Sequence, residues 1–329
     1  MARQQAEKTE AAAPDGRIVA FFLLPEFSML AFTAAIEPLR VANELSKREL
    51  YRWVVLSADA APATSSNGLQ IAPHGGLDFL ESCWAAVICG GRNAHLKPQP
   101  KVESWLRRLR FRGAKVGAIS DGTYVLARAG LLDGYACTIH WNCIAGFAET
   151  YPDIDVTDSL YRIDRDRFTC SGGTASMDLM LKLIELDHGR ELARAVGEHF
   201  MHIDIRESQT NQRTPLDARY DLDNAKLVAI LELMENNLEE PLSIATMGKL
   251  VGVSTRHMER LFTAYLKSTP SRYYLELRLR RAKHLLTSSR LSVTEIGLAC
   301  GFTSMSHFAK CYRVSYGVSP RTARRALHA

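Results

Sequence analysis

The feature that most limits the possible fold of this 329-residue chain is a segment that occurs twice near its C-terminal end. Residues 243–270 and 292–320 share one order of serine, glycine and apolar positions, and Ser243, Gly248 and Gly252 recur 49 positions later. In each copy the pattern predicts a short helix, a turn at a glycine with positive φ, and a second helix with an apolar stripe. The duplication therefore predicts two similar helix-turn-helix units.

The charge distribution indicates what these units bind. Residues 241–329 contain 15 Lys and Arg against three Glu, a net charge of +12, whereas the preceding 240 residues carry −7. A basic helix at 271–286 connects the two units. A basic module with paired helix-turn-helix units is typical of proteins that bind double-stranded DNA. We therefore predict an all-α DNA-binding domain at 224–329, with its helix-turn-helix units at 243–264 and 291–314.

The second copy is specific enough to compare with a known family. Its motif, EIGLACGFTSMSHFAKCYR followed by GVSPR, resembles the AraC/XylS family of bacterial transcription factors, and the resemblance extends over residues 225–327. It implies that both second helices enter adjacent major-groove segments of promoter DNA, where Arg and Glu side chains contact base edges. The positions implied to face bases are Ser254, Arg256, Glu259, Arg260, Met305, Ser306, His307 and Lys310. The cations implied to hold phosphates are Arg280, Arg281, Lys283, Arg313 and Arg321.

Residues 17–207 show a different pattern, in which continuous apolar strands alternate with helices. The predicted strands are RIVAFFLL, YRWVVLS, AAVICGG, KVGAIS and RFTCSGG, and the predicted helices cover 28–45, 101–112, 123–130, 141–150 and 174–187. Such alternation predicts a mainly parallel sheet covered on both faces, whose ligands bind at the carboxyl ends of the strands. Those ends fall at Pro25-Glu26, Gly90-Gly91, Ser120-Asp121 and Gly172-Gly173.

Two motifs in this region, AISDGTYVLARAGLLDGYACTIHW and SGGTASMDLML, resemble the PfpI-like branch of the class I glutamine amidotransferase-like superfamily. The resemblance implies a flavodoxin-like sheet with a cysteine on a strand-to-helix elbow, a carboxylate on the first helix, a histidine, and an oxyanion hole at a glycine pair. Here the elbow position is Ser120 and the carboxylate position is Ala31, while His140, Gly90 and Gly91 remain. Serine is a poor nucleophile without an adjacent base. We therefore predict a degenerate elbow and no catalysis.

A PfpI-like domain joined to an AraC-type module resembles the GlxA group of regulators. Within that group, LPEFSMLAFTAAIEPLRVANELSKRELYRW resembles regulators of glycine betaine, carnitine and arginine catabolism, which implies a sensor of a small nitrogenous metabolite. Aromatic faces attract a quaternary ammonium, and the backbone N–H groups after the elbow suit a carboxylate, while Asp121 alternatively pairs a guanidinium. The predicted ligand contacts are Phe32, Gly90, Gly91, Ser120, Asp121, Tyr124, His140 and Trp141.

The remaining segments bear on compartment and cofactors. Residues 1–16 lack an apolar stretch and predict a disordered tail rather than a secretion signal, and 208–223 is a polar predicted linker. No apolar run approaches the about 20 residues that span a bilayer. Seven cysteines without a C-x-x-C pair favour reduced thiols over a metal site. We expect a cytoplasmic protein without cofactors.

Three functions remain open. The leading one is a homodimeric, ligand-responsive DNA-binding transcription regulator, expected to activate catabolic genes through RNA polymerase. The second is a PfpI-like amidase or other hydrolase that uses Ser120 and carries an accessory DNA-binding domain. The third is a DNA-binding protein whose N-terminal domain only dimerises.

Overall fold

An α/β domain and a helical domain follow one another in the structure, a computed structural model that describes residues 16–91, 94–213, 224–289 and 291–325. Most of the predicted tail at 1–16 and the linker from residue 214 to 223 lie outside these described residues. The order of the two domains agrees with the predicted fold class.

The α/β domain is built on a six-stranded sheet with the order β2-β1-β5-β6-β10-β9. Its strands are β1 (Arg17–Leu23), β2 (Tyr51–Leu56), β5 (Ala85–Cys89), β6 (Lys115–Ile119), β9 (Tyr161–Asp164) and β10 (Arg167–Cys170). All neighbouring pairs are parallel except β9 and β10, which form an antiparallel hairpin at the sheet edge. Two small ladders pair β3 (Ala63–Thr64) with β4 (Gln70–Ile71) and β7 (Cys137–Thr138) with β8 (Val156–Thr157). The predicted mainly parallel sheet is confirmed.

Helices cover both faces of this sheet. They are α1 (Met29–Ser46), α2 (Pro100–Phe111), α3 (Thr123–Arg128), α4 (Ile144–Thr150), α5 (Ala175–His188) and α6 (Arg190–His199). Successive residues of a strand point to opposite faces, so Phe21 joins a core with α1 and α5, while Phe22 joins a second core with Trp105 of α2. A sheet buried on both faces exposes its strand ends, and this is where the elbow lies.

The C-terminal segment of the α/β domain is held against the rest of the domain by polar contacts, some of them buried. The carboxylate of Asp178 is fully buried, and it accepts hydrogen bonds from the guanidinium of Arg206 at 2.6 Å and bonds His202 Nε2 at 2.7 Å. The side-chain amide of Gln212 donates to Thr138 Oγ1 and Ile139 O. The first residues of the predicted linker are therefore bonded to the α/β domain.

The helical domain contains the two predicted units. Its helices are α7 (Ala225–Asn236), α8 (Ile244–Val251), α9 (Thr255–Leu266), α10 (Pro270–Ser288), α11 (Val293–Ala299), α12 (Met305–Tyr316) and α13 (Pro320–Arg325). Gly252 and Gly301 form the turns of the two units with φ of +69° and +72°. Serine hydroxyls cap the four unit helices, with Ser304 rather than Thr303 at the start of α12.

Helix α10 belongs to the cores of both units. Tyr273 and Tyr274, near its start, pack with Met258 and Phe262 of the first unit. Residues nearer its end, among them Leu285 and Leu286, pack with Ile296, Phe302 and Phe308 of the second unit. One continuous helix therefore holds the two units in a fixed spacing.

Two broad features complete the fold. Among the described residues, no helix is both long enough and apolar enough to cross a bilayer. All seven cysteines lie in the described ranges as free thiols, and five of them are buried. Burial raises the thiol pKa of the five buried cysteines, for example to about 12 for Cys137, so these five are protonated at neutral pH.

Candidate functional site

The second helix of each unit presents a polar face to solvent. On α9, Arg256, Glu259 and Arg260 are exposed, while Met258 and Phe262 are buried on the opposite side. On α12, Ser306, His307, Lys310 and Arg313 are exposed in the same way. A helix with one buried face and one exposed basic face is the arrangement that enters a major groove.

Other predicted DNA contacts occupy different environments. Met305 is half-buried against Gly297 in the second core, because the thioether fills the space beside that glycine. The Ser254 hydroxyl accepts from the His257 backbone N–H at 3.2 Å as a helix cap. Arg281 is half-buried, whereas Arg280, Lys283 and Arg321 are exposed. Met305 lies at the start of α12 with part of its side chain in the core, and its base contact remains a prediction.

Two arginines of the helical domain donate hydrogen bonds to backbone carbonyls within that domain instead of facing solvent. The guanidinium of Arg278 donates to Cys300 O at 2.8 Å and Gly301 O at 2.6 Å, and it stacks on Phe302 at 4.2 Å. Arg324 donates to Ser289 O and to another carbonyl of the same loop. The number of cations that face solvent is therefore smaller than the net charge of +12 at residues 241–329 suggests.

In the α/β domain, the elbow lies where β6 ends. Ser120 has a φ of +56°, in the left-handed region that non-glycine residues rarely adopt. The chain passes so close to the glycine pair after β5 that a Cβ on Gly90 would lie 2.2 Å from Gly122 N. These two local constraints hold the Ser120 side chain at the carboxyl edge of the sheet, as a strained strand-to-helix turn does.

A cavity of about 700 Å³ opens at this elbow, which is the size of a small-molecule site. Elements from both domains line it. The lining residues are Glu26, Ser28, Ser66, Gly90, Gly91, His95, Ser120, Asp121, His140, Asn142, Cys143, Gly173, His284 and Thr287. A larger open groove beside α5 and α6 shares no residue with it.

Asp121 is the central polar group of this elbow cavity. Its Oδ1 accepts from Ser120 Oγ at 3.4 Å and from the Cys143 thiol at 3.3 Å. Burial raises the pKa of Asp121 to about 6, although the two hydrogen bonds favour the ionised form. Burial and the neighbouring Asp121 also raise the pKa of the Cys143 thiol, which keeps the thiol protonated and unreactive.

The groups that would activate a nucleophile are arranged differently from those of a hydrolase. His140 lines the cavity, but its Nδ1 accepts from the Asn142 backbone N–H at 3.3 Å, and burial lowers its pKa. The hydrogen bond that the Ser120 hydroxyl makes goes to Asp121. The Gly90 N–H donates to Ile119 O at 2.9 Å, so this predicted oxyanion donor is already used inside the sheet.

The structure brings five predicted ligand residues together, namely Gly90, Gly91, Ser120, Asp121 and His140. It does not bring the aromatic residues to the same cavity. The rings of Phe32 and Tyr124 are buried in the two cores, against Phe27 at 5.8 Å and Phe147 at 5.1 Å respectively. Trp141 is 44% exposed, with the Arg213 guanidinium 5.0 Å above its ring. Phe32 and Tyr124 are used for packing and Trp141 lies outside the cavity lining, so a ligand contact by these three rings remains a prediction. Ala31 is also buried outside the cavity lining.

Comparison with known proteins identifies the chain. Residues 17–186 match the profile of the DJ-1/PfpI family, and residues 247–326 match that of a helix-turn-helix domain. The HTH-type transcriptional regulator GbdR of Pseudomonas aeruginosa is 45% identical over 93% of this chain and 84% of its own length. The HTH-type transcriptional regulator GlxA of Rhizobium meliloti is 35% identical over 96% of this chain and 98% of its own length. The chain belongs to the GlxA-type family of transcription regulators, which join a DJ-1/PfpI domain to an AraC-type domain.

A solved structure supports the family at the level of the α/β domain. An AraC family transcriptional regulator from Pseudomonas putida is 32% identical, with a TM-score of 0.53, and the match covers 56% of this chain and 99% of that one. As a GlxA-type protein, the chain is a DNA-binding transcription regulator. The elbow cavity is therefore part of a regulator built on a fold that it shares with enzymes.

Sequence reasoning missed several cavity residues. Glu26 follows β1 at the edge where ligands bind, so its position at a strand end was a usable signal. Asn142 and Cys143 directly follow the His-Trp pair and were near enough to be included. His284 and Thr287 belong to the other domain, and no pattern in the sequence connects them with the elbow.

Proposed function

We propose that this regulator binds a small nitrogenous metabolite with a cationic group in the elbow cavity and does so without chemical turnover. The observation that carries the proposal is the polar lining of the elbow cavity, in which the imidazole and the glycine N–H that a serine hydrolase would use make other hydrogen bonds. A serine nucleophile needs a base that removes its proton and donors that stabilise an oxyanion. The His140 acceptor and the Gly90 donor are both engaged elsewhere.

The chemistry of the cavity favours a cationic group on the ligand. Glu26 and Asp121 supply two carboxyl groups, and with its pKa of about 6 Asp121 is mostly ionised at neutral pH. A carboxylate pairs with a guanidinium or an ammonium, and it also attracts a quaternary nitrogen. The hydroxyl, imidazole and amide groups of Ser66, His140 and Asn142 are available for a polar end of the ligand. Betaine-, carnitine- and arginine-like compounds combine these features.

The proposal includes the assembly and location of the regulator. We infer a homodimer that binds promoter DNA in the cytoplasm and activates transcription through RNA polymerase. Two copies of a paired helix-turn-helix module double the number of phosphate contacts, which raises affinity and its salt dependence. The domain boundaries in this proposal are 17–207 for sensing and 224–329 for DNA binding.

Isothermal titration of the full chain with glycine betaine, carnitine, choline and arginine tests the site. We expect one of these compounds to bind and Asp121→Asn to weaken its affinity about tenfold or more, because the charge–charge attraction between the carboxylate and the cationic nitrogen is lost. The control is Asp133→Asn, which changes an exposed carboxylate outside the cavity. Equal affinity in the two variants would argue against the elbow as the binding site.

One observation favours a second function, that of a hydrolase. Asp121 contacts the Ser120 hydroxyl and has a pKa near neutrality, which are two properties of a general base. Ser120→Ala distinguishes the two functions. A sensor keeps its ligand affinity and its control of DNA binding in this variant, whereas a hydrolase loses turnover of amide and ester substrates.

A further inference from the structure

The elbow cavity has one wall that belongs to the DNA-binding domain. His284 and Thr287 of α10 line it together with Asp121, His140 and Asn142. The two α10 residues are three positions apart and so share one face of the helix. The Thr287 hydroxyl donates to His284 O at 2.8 Å, and its oxygen remains an acceptor. The end of α10 thus contributes an imidazole and a hydroxyl to the same space as the elbow.

The opposite face of the same helical turn is built into the second helix-turn-helix unit. Leu285 and Leu286 are almost completely buried among Phe302 and Phe308. Ala145 of α4 packs against this same core from the α/β domain. Because protein cores are closely packed, a displacement of this turn moves the side chains around it as a unit.

The loop that follows α10 is also fixed to the second unit. Ser289 is buried, its hydroxyl donates to Leu285 O at 2.7 Å, and its carbonyl accepts from the guanidinium of Arg324 on α13. Through Ser289, the last turn of α10 is therefore hydrogen-bonded to α13.

We propose that the effector in the elbow cavity contacts His284 and Thr287 directly and so sets the position of the second helix-turn-helix unit relative to the α/β domain. The proposal rests on the proposed function, since it takes the elbow cavity as the effector site. It adds a structural route by which effector binding in the elbow cavity affects the binding of DNA. Ligand binding and DNA binding then share one structural element, the C-terminal turn of α10.

This arrangement has a thermodynamic consequence. If the effector changes the affinity for promoter DNA by some factor, DNA changes the affinity for the effector by the same factor. A ligand shifts an equilibrium only through contacts that differ between the two states. Removal of the α10 contacts should therefore reduce the effector's affinity and its influence on DNA together, while contacts to the elbow alone support binding without coupling.

The test uses the full chain and the compound among glycine betaine, carnitine, choline and arginine that binds. His284→Ala and Thr287→Val are compared with Glu276→Gln, which changes an exposed residue of the same helix. Effector affinity is measured by calorimetry with and without a promoter duplex, and DNA affinity by titration with and without the effector. Thermal unfolding identifies any variant that fails to fold, in which case the other variant carries the test.

We expect both cavity variants to bind the effector several-fold more weakly and to lose the difference in effector affinity with and without DNA. Their DNA affinity without effector should match that of Glu276→Gln. Unchanged effector affinity and unchanged coupling in His284→Ala and Thr287→Val would overturn this proposal, while sensitivity to Asp121→Asn would leave the proposed function standing. Absence of binding by every compound in the panel would overturn both.

Discussion

His284 of α10 lies close enough to His140 at the elbow for the His140 imidazole to disfavour protonation of His284, although the two residues belong to different domains. Burial is the larger cause of the lowered pKa of His284, which is about 4, and His140 and Arg281 add to it. Burial also lowers the pKa of His140. The contact between the domains is therefore more favourable when both imidazoles are neutral, and protonation at low pH should weaken this contact.

The first prediction concerns this pH dependence. A histidine with a pKa of about 4 in the folded chain and 6.5 in the unfolded chain binds fewer protons when folded in that interval. Its contribution to stability is complete above the unfolded pKa and is lost as the pH falls from 6.5 towards 4. Asp121 acts in the opposite direction, since its raised pKa adds stability that is lost as the pH rises through about 6.

Thermal unfolding from pH 4 to 7 checks the prediction. We expect His284→Gln to flatten the rise in melting temperature of the wild-type chain across this range, and Asp121→Asn to make that rise steeper. A His284→Gln curve that runs parallel to wild type would contradict the neutral imidazole. Glu26, which also lines the cavity, is unchanged in both variants, so its contribution to the pH dependence of the melting temperature is common to all the curves.

The pattern of elements was predictable because it depends on local periodicity. The strands β1, β5 and β6 and the helices of both units were predicted close to their observed bounds. The antiparallel edge strand Tyr161–Asp164 was missed because it has only four residues and pairs through a hairpin at Arg165, whose φ is +56°. Helix α13 is also short, and its six residues carry little apolar pattern.

The second prediction concerns the close approach at the elbow. Gly90→Ala would bring a Cβ to 2.2 Å from Gly122 N and 2.6 Å from Asp121 N, and these are backbone atoms that cannot rotate away. We expect a loss of about 2–3 kcal/mol in the free energy of unfolding, as for overpacked sites. Gly76→Ala is the control, since its Cβ meets only ordinary contacts from 3.6 Å and its φ is −91°. Denaturant titration measures both, and equal stabilities would contradict the packing at the elbow.

The third prediction concerns the exposed faces of α9 and α12. Arg256→Ala and Lys310→Ala should each weaken promoter binding by about 1–3 kcal/mol, because each removes a cationic contact in a groove or at a phosphate. If Lys310 contacts a phosphate, its removal also lowers the salt dependence of binding. Arg194→Ala removes an exposed cation of the α/β domain and should leave affinity unchanged. Titration of labelled duplex at several salt concentrations measures these affinities. Full affinity in both variants would contradict the assignment of α9 and α12 as the helices that contact DNA.

The candidate site was predictable only in part, for two physical reasons. Backbone positions such as Gly90, Gly91 and Ser120 follow from strand ends and turn geometry, and they line the cavity. Tyr124 closely follows the elbow in sequence and Phe32 is next to Ala31 on α1, but burial in the cores is more favourable for these rings than exposure in a polar cavity. His284 reaches the cavity through the packing of one domain on the other, which no local pattern contains.

The last prediction concerns the hydrogen bonds between Arg324 and the residues that follow α10. The guanidinium of Arg324 donates to Ser289 O and Leu291 O, and burial lowers its pKa. Arg324→Ala leaves these loop carbonyls without their donor, which should cost about 1–3 kcal/mol in stability. Arg325→Ala, at the exposed neighbouring position, is the matched control and should unfold like wild type. We expect Arg324→Ala to retain effector affinity but to reduce the effect of the effector on DNA binding, because the residues that follow α10 then lose their hydrogen bonds to α13. Calorimetry and DNA titration on the same variant test this, and intact coupling in a folded Arg324→Ala protein would show that the loop carries no signal.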